Sequence, residues 1–482
     1  MKINSRLVSV TCISFYAFLA LAKTAFVAYA AEPLAPEQGR RKVEANLATG
    51  SDQYVTPQGA GDRSGRNWAN ARSALNFQDA LDRAGSNNTV RVSSGTYENV
   101  TLQVNTGGAS AKAKKAIVGV DTGGGLPLFK SDFNRQNPSK TGATLVSIEE
   151  GVSYILFKNL KVSGYRIAVQ LQGRHRGVRI QNVDVTNVRD AFWIVGGATP
   201  DAADVGTRDL IVRDCDVKNF TKRGFRIFGG VSKSQFINCH VDAGGKEFFA
   251  ETFPIGFHII GGEGGIVDKE LTFTNCSAAN AWHEGTGYWN GDGFVAEGAT
   301  SDLTWKGCLA YGNSDGGWDI KTLRPKLVDC VSIANKRNFR VWDRKEMAAM
   351  ENCLAAFSID AGQKGHNVGV WLKGGGHLSM TRCTLWGDKV GLAVEDGDEE
   401  NRTQLILNRC LVVPAEGAVA LSLSPGVDLQ NVSSLLRQNQ NDLLVRLRKP
   451  SQKWHGDNSF DSISHPQLGY HYQNSLPQKQ PR

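Results

Sequence analysis

The chain has 482 residues, a formal net charge of +8 and 41% hydrophobic residues. Its charges are dispersed, which excludes the basic stripe of a nucleic-acid binder, and no apolar run reaches the roughly 20 residues of a membrane-spanning helix. Length alone suggests two or three domains at about 150 residues each, but internal repetition argues for one.

The segment Met1–Ala30 carries Lys2 and Arg6, a mostly apolar run from Val8 to Ala22, and Ala28-Tyr29-Ala30 ahead of Ala31-Glu32-Pro33. That pattern predicts a signal peptide cut near Ala30, and so a secreted or periplasmic protein with no membrane contact after cleavage, with an uncleaved N-terminal anchor as the alternative. Taking Lys2, Arg6 and Lys23 from the 55 basic residues leaves 52 against 47 acidic ones. The remaining bias suits an acidic polymer as partner, or solubility alone. Residues 31–53 read as a linker. Tyr54-Val55-Thr56-Pro57, a Gly-rich turn, the amphipathic Phe77-Gln78-Asp79-Ala80-Leu81 and Thr89-Val90-Arg91-Val92 read as a strand, a capping helix and a first rung.

Eight cysteines follow the signal peptide: Cys215, Cys239, Cys276, Cys308, Cys330, Cys353, Cys383 and Cys410. Each ends one recurring phrase, such as Arg213-Asp214-Cys215, Ile237-Asn238-Cys239, Thr274-Asn275-Cys276 and Val328-Asp329-Cys330. The shortest step runs from Cys308 to Cys330, and the others match it closely or exceed it. A floor of roughly 22 residues, with insertions that only lengthen it, is the signature of a coil of fixed circumference. Short β-rich runs such as Tyr154–Phe157, Gly177–Ile180 and Leu405–Leu407, bounded by Asn and Gly, leave no room for crossover helices. Parallel strands joined this way must coil, with right-handed connections as the strong default. The prediction is an all-β, single-stranded right-handed parallel β-helix over 54–448, with the cysteines as an internal ladder or, alternatively, as stacked disulfides. Residues 449–482 read as a polar tail.

One stretch departs from the repeat. Asn290-Gly291-Asp292-Gly293-Phe294 is followed by Asn313-Ser314-Asp315-Gly316-Gly317-Trp318-Asp319, then by Asn338-Phe339-Arg340-Val341-Trp342. The steps from Asp292 to Asp315 and from Asp315 to Arg340 each match one turn of the cysteine count, which aligns the three on successive rungs. Asp319 joins them if the glycine pair turns tightly. Three carboxylates beside turn glycines suit a hard cation, Ca²⁺ first; Asp and Asn at solenoid corners can equally serve only the backbone.

The succession Asp-Gly-Phe, Asp-x-Gly-Trp-Asp and Asn-Phe-Arg resembles polysaccharide lyase family nine, a pectate lyase family on the right-handed parallel β-helix. The resemblance is good over the stretch from Asn290 to Trp342 and looser over the repeats. It implies that Asp292, Asp315 and Asp319 hold Ca²⁺ and that Arg340 stands at the place of the family's catalytic lysine base. It further implies cleavage of an acidic, uronate-containing polysaccharide by calcium-assisted β-elimination; a monomer is the separate expectation for the exported chain. Two departures stand out: Gly316 occupies the place of a second adjacent aspartate, and Arg340 replaces lysine. Arginine is ordinarily protonated, so Arg340 could instead pair with a substrate carboxylate or with Asp343. Lys321, Arg337 and Lys373, with Lys336 beside them, are candidate carboxylate holders. Trp318 and Trp342, with Trp289, are candidate sugar platforms. His283 and Glu284 lie in the insertion ahead of Asp292. Competing readings are a uronate C5-epimerase, with His283 as the partner across the sugar, and a non-catalytic polysaccharide-binding β-helix. A hydrolase would need a carboxyl pair, which Asp292 and Asp315 could imitate.

Overall fold

The computed structural model describes residues 51–138, 141–199, 206–245, 253–262, 264–283, 290–342, 346–362, 365–398 and 400–436. The expected signal peptide, all but the last residues of the linker, the polar tail, Glu284, Trp289 and Asp343 lie outside them. The named strands pair in parallel and fall into three long sheets that share one interior, the right-handed parallel β-helix of the sequence reading.

One of the three, the first sheet, carries the strands that hold Asp292, Asp319 and Arg340. It runs from Leu102–Val104 through Ile167–Leu171 and the ends of Arg179–Val195 and Ile211–Phe228. It continues as Ile255–Ile260, Asp292–Glu297, Gly316–Ile320, Arg337–Val341, Val368–Leu372, Val390–Val394 and Val419–Leu423. At the N-terminal end, the helix Phe77–Arg83 turns Phe77, Ala80 and Leu81 inward at the i, i+3, i+4 spacing of an amphipathic helix. Phe77 meets Tyr97 and Phe129 at 6.2 and 5.8 Å, closing the apolar interior.

The recurring phrase marks the corner between the other two sheets. The residue before each cysteine has a left-handed backbone, with φ of 55° at Asp214, 50° at Asn238 and 51° at Asn275. Asn and Asp tolerate that region better than other side chains because they bond locally. At this corner Asn238 Nδ2 donates to Asp214 Oδ1 (3.0 Å) one rung away. The cysteine then points inward, and thiols such as Cys239 and Cys330 donate to the carbonyl two residues back, at 3.4 Å in both. All eight thiols are buried and free, so the ladder is one of small packed side chains and not of disulfides.

Two aromatic stacks fill the rest of the interior. Phe192, Phe225, Phe257, Phe294, Trp318 and Phe339 follow one another beneath the first sheet with centroids 4.7–4.9 Å apart, the spacing of the strands that carry them. Phe236, Phe273 and Trp305 stack beneath a second sheet. At the corner that feeds the first sheet the interior is polar. Asn313 Nδ2 donates to Asn335 Oδ1 (2.8 Å), Asn335 Nδ2 to Asn338 Oδ1 (3.1 Å), and Asn338 Nδ2 to Asp388 Oδ1 (3.3 Å). These buried amides pin the start of the strand Arg337–Val341.

Candidate active site

Register decides which side chains meet on the outward face of the first sheet. One row runs Trp193, Arg226, His258, Val295, Asp319, Arg340, Trp371. A second row, nearer the incoming corner, places Asp292 on the strand after Ile255 and pairs Gly316 with Arg337. Asp319, not Asp315, therefore stands beside Arg340, and Asp292 faces Gly316. The expected alignment of Asp292, Asp315 and Arg340 is wrong because the turns differ in length: the one from Asp319 to Arg340 is shorter than the one from Val295 to Asp319.

Asp292 is buried, and its Oδ1 accepts the Gly316 amide at 2.6 Å. A Cβ at Gly316 would lie 2.8 Å from that oxygen, so the bare backbone is what lets the carboxylate settle here. Burial, then the neighbouring charge of Asp319, pushes the Asp292 pKa up to about 7. Asp319 stays in a net of donors: Lys321 Nζ at 3.0 Å from Oδ2, Arg340 Nε at 4.0 Å and the Trp342 indole on Oδ1. Lys321 also reaches Glu297 at 3.0 Å. Burial works against the Lys321 ammonium, yet these two carboxylates outweigh it and hold the pKa above its ordinary value.

Glu297 Oε1 in turn meets His258 Nε2 at 2.8 Å, and His258 Nδ1 accepts Arg223 Nε at 2.8 Å. Burial and the Arg223 charge pull the His258 pKa down to about 4. His258 is thus a neutral ring with its proton on Nε2, fixed as a donor to Glu297.

Cations and rings alternate over the rest of the face. Arg340 Cζ lies 3.9 Å from the Trp342 ring and 4.7 Å from Trp371. Lys373 Nζ lies 4.6 Å from Trp371 and 5.5 Å from Trp342, and it pairs with Glu395 at 2.6 Å. Arg337 stands 5.1 Å from Trp371 and pairs with Asp315.

The sequence matches the family of right-handed β-helix regions over residues 148–434, more than half of the chain. The chain belongs to that family. Similar solved structures include the catalytic domain of a GH87 α-1,3-glucanase with tetrasaccharides, at 12% identity and TM-score 0.54, covering 84% of this chain and 71% of that one. Others are the A-module of a mannuronan C-5 epimerase from Azotobacter vinelandii (14%, TM-score 0.48, 76% and 96%) and pectate lyase Pel9A (14%, TM-score 0.34, 82% and 80%). At such identities the likeness is one of fold. No curated protein matches the chain.

In this β-helix protein six expected residues share the outward face: Asp319, Lys321, Arg337, Arg340, Trp342 and Lys373. Trp318 does not. It is fully buried between Phe294 and Phe339, so it is core and not a sugar platform. Lys336 is buried too and donates to Asn367 Oδ1 at 2.9 Å. His283 is largely buried, its Nδ1 accepting the Asn290 amide at 3.3 Å.

The three aspartates do not fit the expected calcium site. Among the described residues no three His, Cys, Asp or Glu side chains converge on a metal position. Asp292 is taken by the Gly316 amide, Asp315 by Arg337 and Asp319 by Lys321. Sequence reasoning missed Trp371, Glu297, Glu395 and His258. Their partners lie one turn or more away in the chain, a separation at which no local pattern announces them.

Proposed function

We propose that this protein is an exported enzyme that cleaves an acidic polysaccharide by β-elimination at a uronate held on the outward face of the first sheet. The observation that carries the reading is the stacking of Arg340 on Trp342 and Trp371, with Lys321, Arg337 and Lys373 around it. The partly exposed Trp342 ring suits a pyranose face, the buried Trp371 backs the cations, and fixed guanidinium and ammonium groups suit ring carboxylates.

Aromatic faces favour the cationic guanidinium, so we assign Arg340 to neutralising the uronate carboxylate and not to the expected base role. That charge stabilises the negative charge that develops when the C5 proton leaves. On this face Asp292 lies one strand from Asp319, beside the row of Arg340, and burial with the neighbouring Asp319 holds its carboxyl above the usual carboxylate range, so we assign it as proton acceptor. The C5–H pair becomes the C4=C5 double bond, the C4–O bond breaks, and the departing oxygen takes a proton from water. Asp319, held by Lys321, positions Arg340.

A second reading, glycoside hydrolysis, draws on the same pair. An Asp292 that keeps its proton with Asp319 close by is the pattern of a general acid with a second carboxyl partner.

The test is absorbance of the unsaturated uronide product across a panel of acidic polysaccharides, with Ca²⁺ or with chelator, alongside a reducing-end assay. The proposal expects a rise that chelator leaves intact and that Arg340→Ala lowers by about 100-fold or more, the scale of a lost transition-state charge contact. A rise abolished by chelator would restore the calcium expectation. New reducing ends without absorbance would establish hydrolysis, inverted uronates without cleavage an epimerase, and glycan retention without either a binding protein.

A further inference from the structure

A second aromatic and cationic group lies on the same face, well upstream of Arg340. Arg226 Cζ is 4.5 Å from the Trp193 ring on the neighbouring strand and 5.1 Å from the Phe228 ring. Trp193 and Arg226 are register partners, and their row continues through His258, Val295 and Asp319 to Arg340. Arg226 and Arg340 are therefore four strand steps apart in one row, about 19 Å at the usual spacing.

Two of the arginines near Arg226 are committed inside the protein. Arg189 pairs with Asp190, and Arg223 donates to His258 and to the carbonyls of Lys222 and Phe253. Arg226 differs: its side chain makes no hydrogen bond or ion pair among the described residues, and it is half-buried against two half-buried rings. Such a guanidinium has a covered stem, a fixed plane and unused donors in a fork, which is the geometry for holding a carboxylate through two bonds.

We propose that Trp193, Arg226 and Phe228 form a second subsite, which holds one acidic sugar residue of a chain whose other end lies at Arg340. The proposal rests on the reading of an acidic polysaccharide laid along this sheet. A pyranose unit advances along an extended glycan by close to one strand spacing, so the two subsites sit about four sugar units apart. Between them His258 is neutral and the Lys321 ammonium is paired with both Glu297 and Asp319, so the inner units contribute little through their carboxylates.

The test is calorimetric binding of tetra- and octauronates of defined length, in an Asp292→Asn background that keeps the oligomers intact. The octamer is expected to bind about ten-fold or more tighter than the tetramer, the weight of one charge-assisted contact, and Arg226→Gln to shrink that gain to under about two-fold. Arg226→Lys, which keeps the charge and loses the fork, should recover part of it. Melting temperatures close to the parent protein exclude loss of fold. An octamer gain that survives Arg226→Gln, or no gain in the parent protein, overturns the subsite even where cleavage occurs. A protein that binds the octamer through Arg226 but cleaves no uronate overturns the elimination reading and leaves the subsite standing.

Discussion

Asp292 and Asp319 show how one residue type takes two surroundings on one face. Asp319 lies among Lys321, Arg340 and Trp342, whereas Asp292 has one backbone amide, and burial, then the neighbouring Asp319, push its pKa up to about 7 against that amide. The sign of the pH profile then separates the two reactions. A proton acceptor must be ionised, so elimination predicts kcat/KM rising with pH through about 7. A proton donor must be protonated, so hydrolysis predicts a fall through the same range. Asp292→Asn is expected to remove that limb and lower the rate by roughly 100-fold or more. A limb that persists in the variant would assign the titration to another group. The departure at Gly316 also makes sense at this scale. A side chain there would collide with the Asp292 carboxylate, so the glycine is part of the arrangement and not merely a lost ligand.

Single strands must satisfy two surfaces at once. Gly316–Ile320 sends Trp318 into the stack between Phe294 and Phe339 while Asp319 faces out beside Arg340. The stack thereby sets the height of the outward row that holds Asp319 and Arg340. Trp318→Phe keeps a ring at the same spacing, and we expect it to cost under about 1.5 kcal/mol and to change kcat/KM by less than about two-fold. Trp318→Ala opens the stack and is expected to cost about 3–5 kcal/mol in denaturant unfolding. A Trp318→Phe protein that folded normally but lost glycan affinity would return Trp318 to the sugar-binding set. The motif around Trp318 read the same in either role, because a tryptophan next to glycines and an aspartate suits a sugar platform as well as a core. Only the direction of the side chain separates the two.

Over the whole molecule, two buried acids stand apart from the face. Asp268 Oδ1 accepts the amides of Gly230 and Val231 at 2.8 and 2.6 Å, and Asp388 Oδ1 accepts the Ser358 amide at 2.6 Å. Burial pushes both pKa values up to about 7 against those donors. A folded pKa above the unfolded value near 3.9 stabilises the protein at low pH and loses that contribution as pH rises through 7, by on the order of a few kcal/mol per group. Asp268→Asn keeps the acceptor and removes the titration. We expect it to match the parent protein near pH 4 and to melt higher at pH 8; equal melting at both would place the Asp268 titration elsewhere.

The coil itself was legible in the chain. A fixed minimum step between cysteines and a left-handed Asn or Asp before an inward thiol are local properties, repeated until they admit one architecture. The charged and aromatic content of the outward face was legible as well, because Asp319, Lys321, Arg337, Arg340, Trp342 and Lys373 cluster where the repeat is interrupted. Which of them touch was not. The turn from Arg340 to Trp371 is longer than the one from Val295 to Asp319, and that in turn is longer than the one from Asp319 to Arg340, because corner loops of unequal length separate strands of fixed spacing. The folded coil alone sets those offsets. With them it paired Asp319 with Arg340, set Asp315 against Arg337 and brought Trp371 over a guanidinium one long turn earlier in the chain.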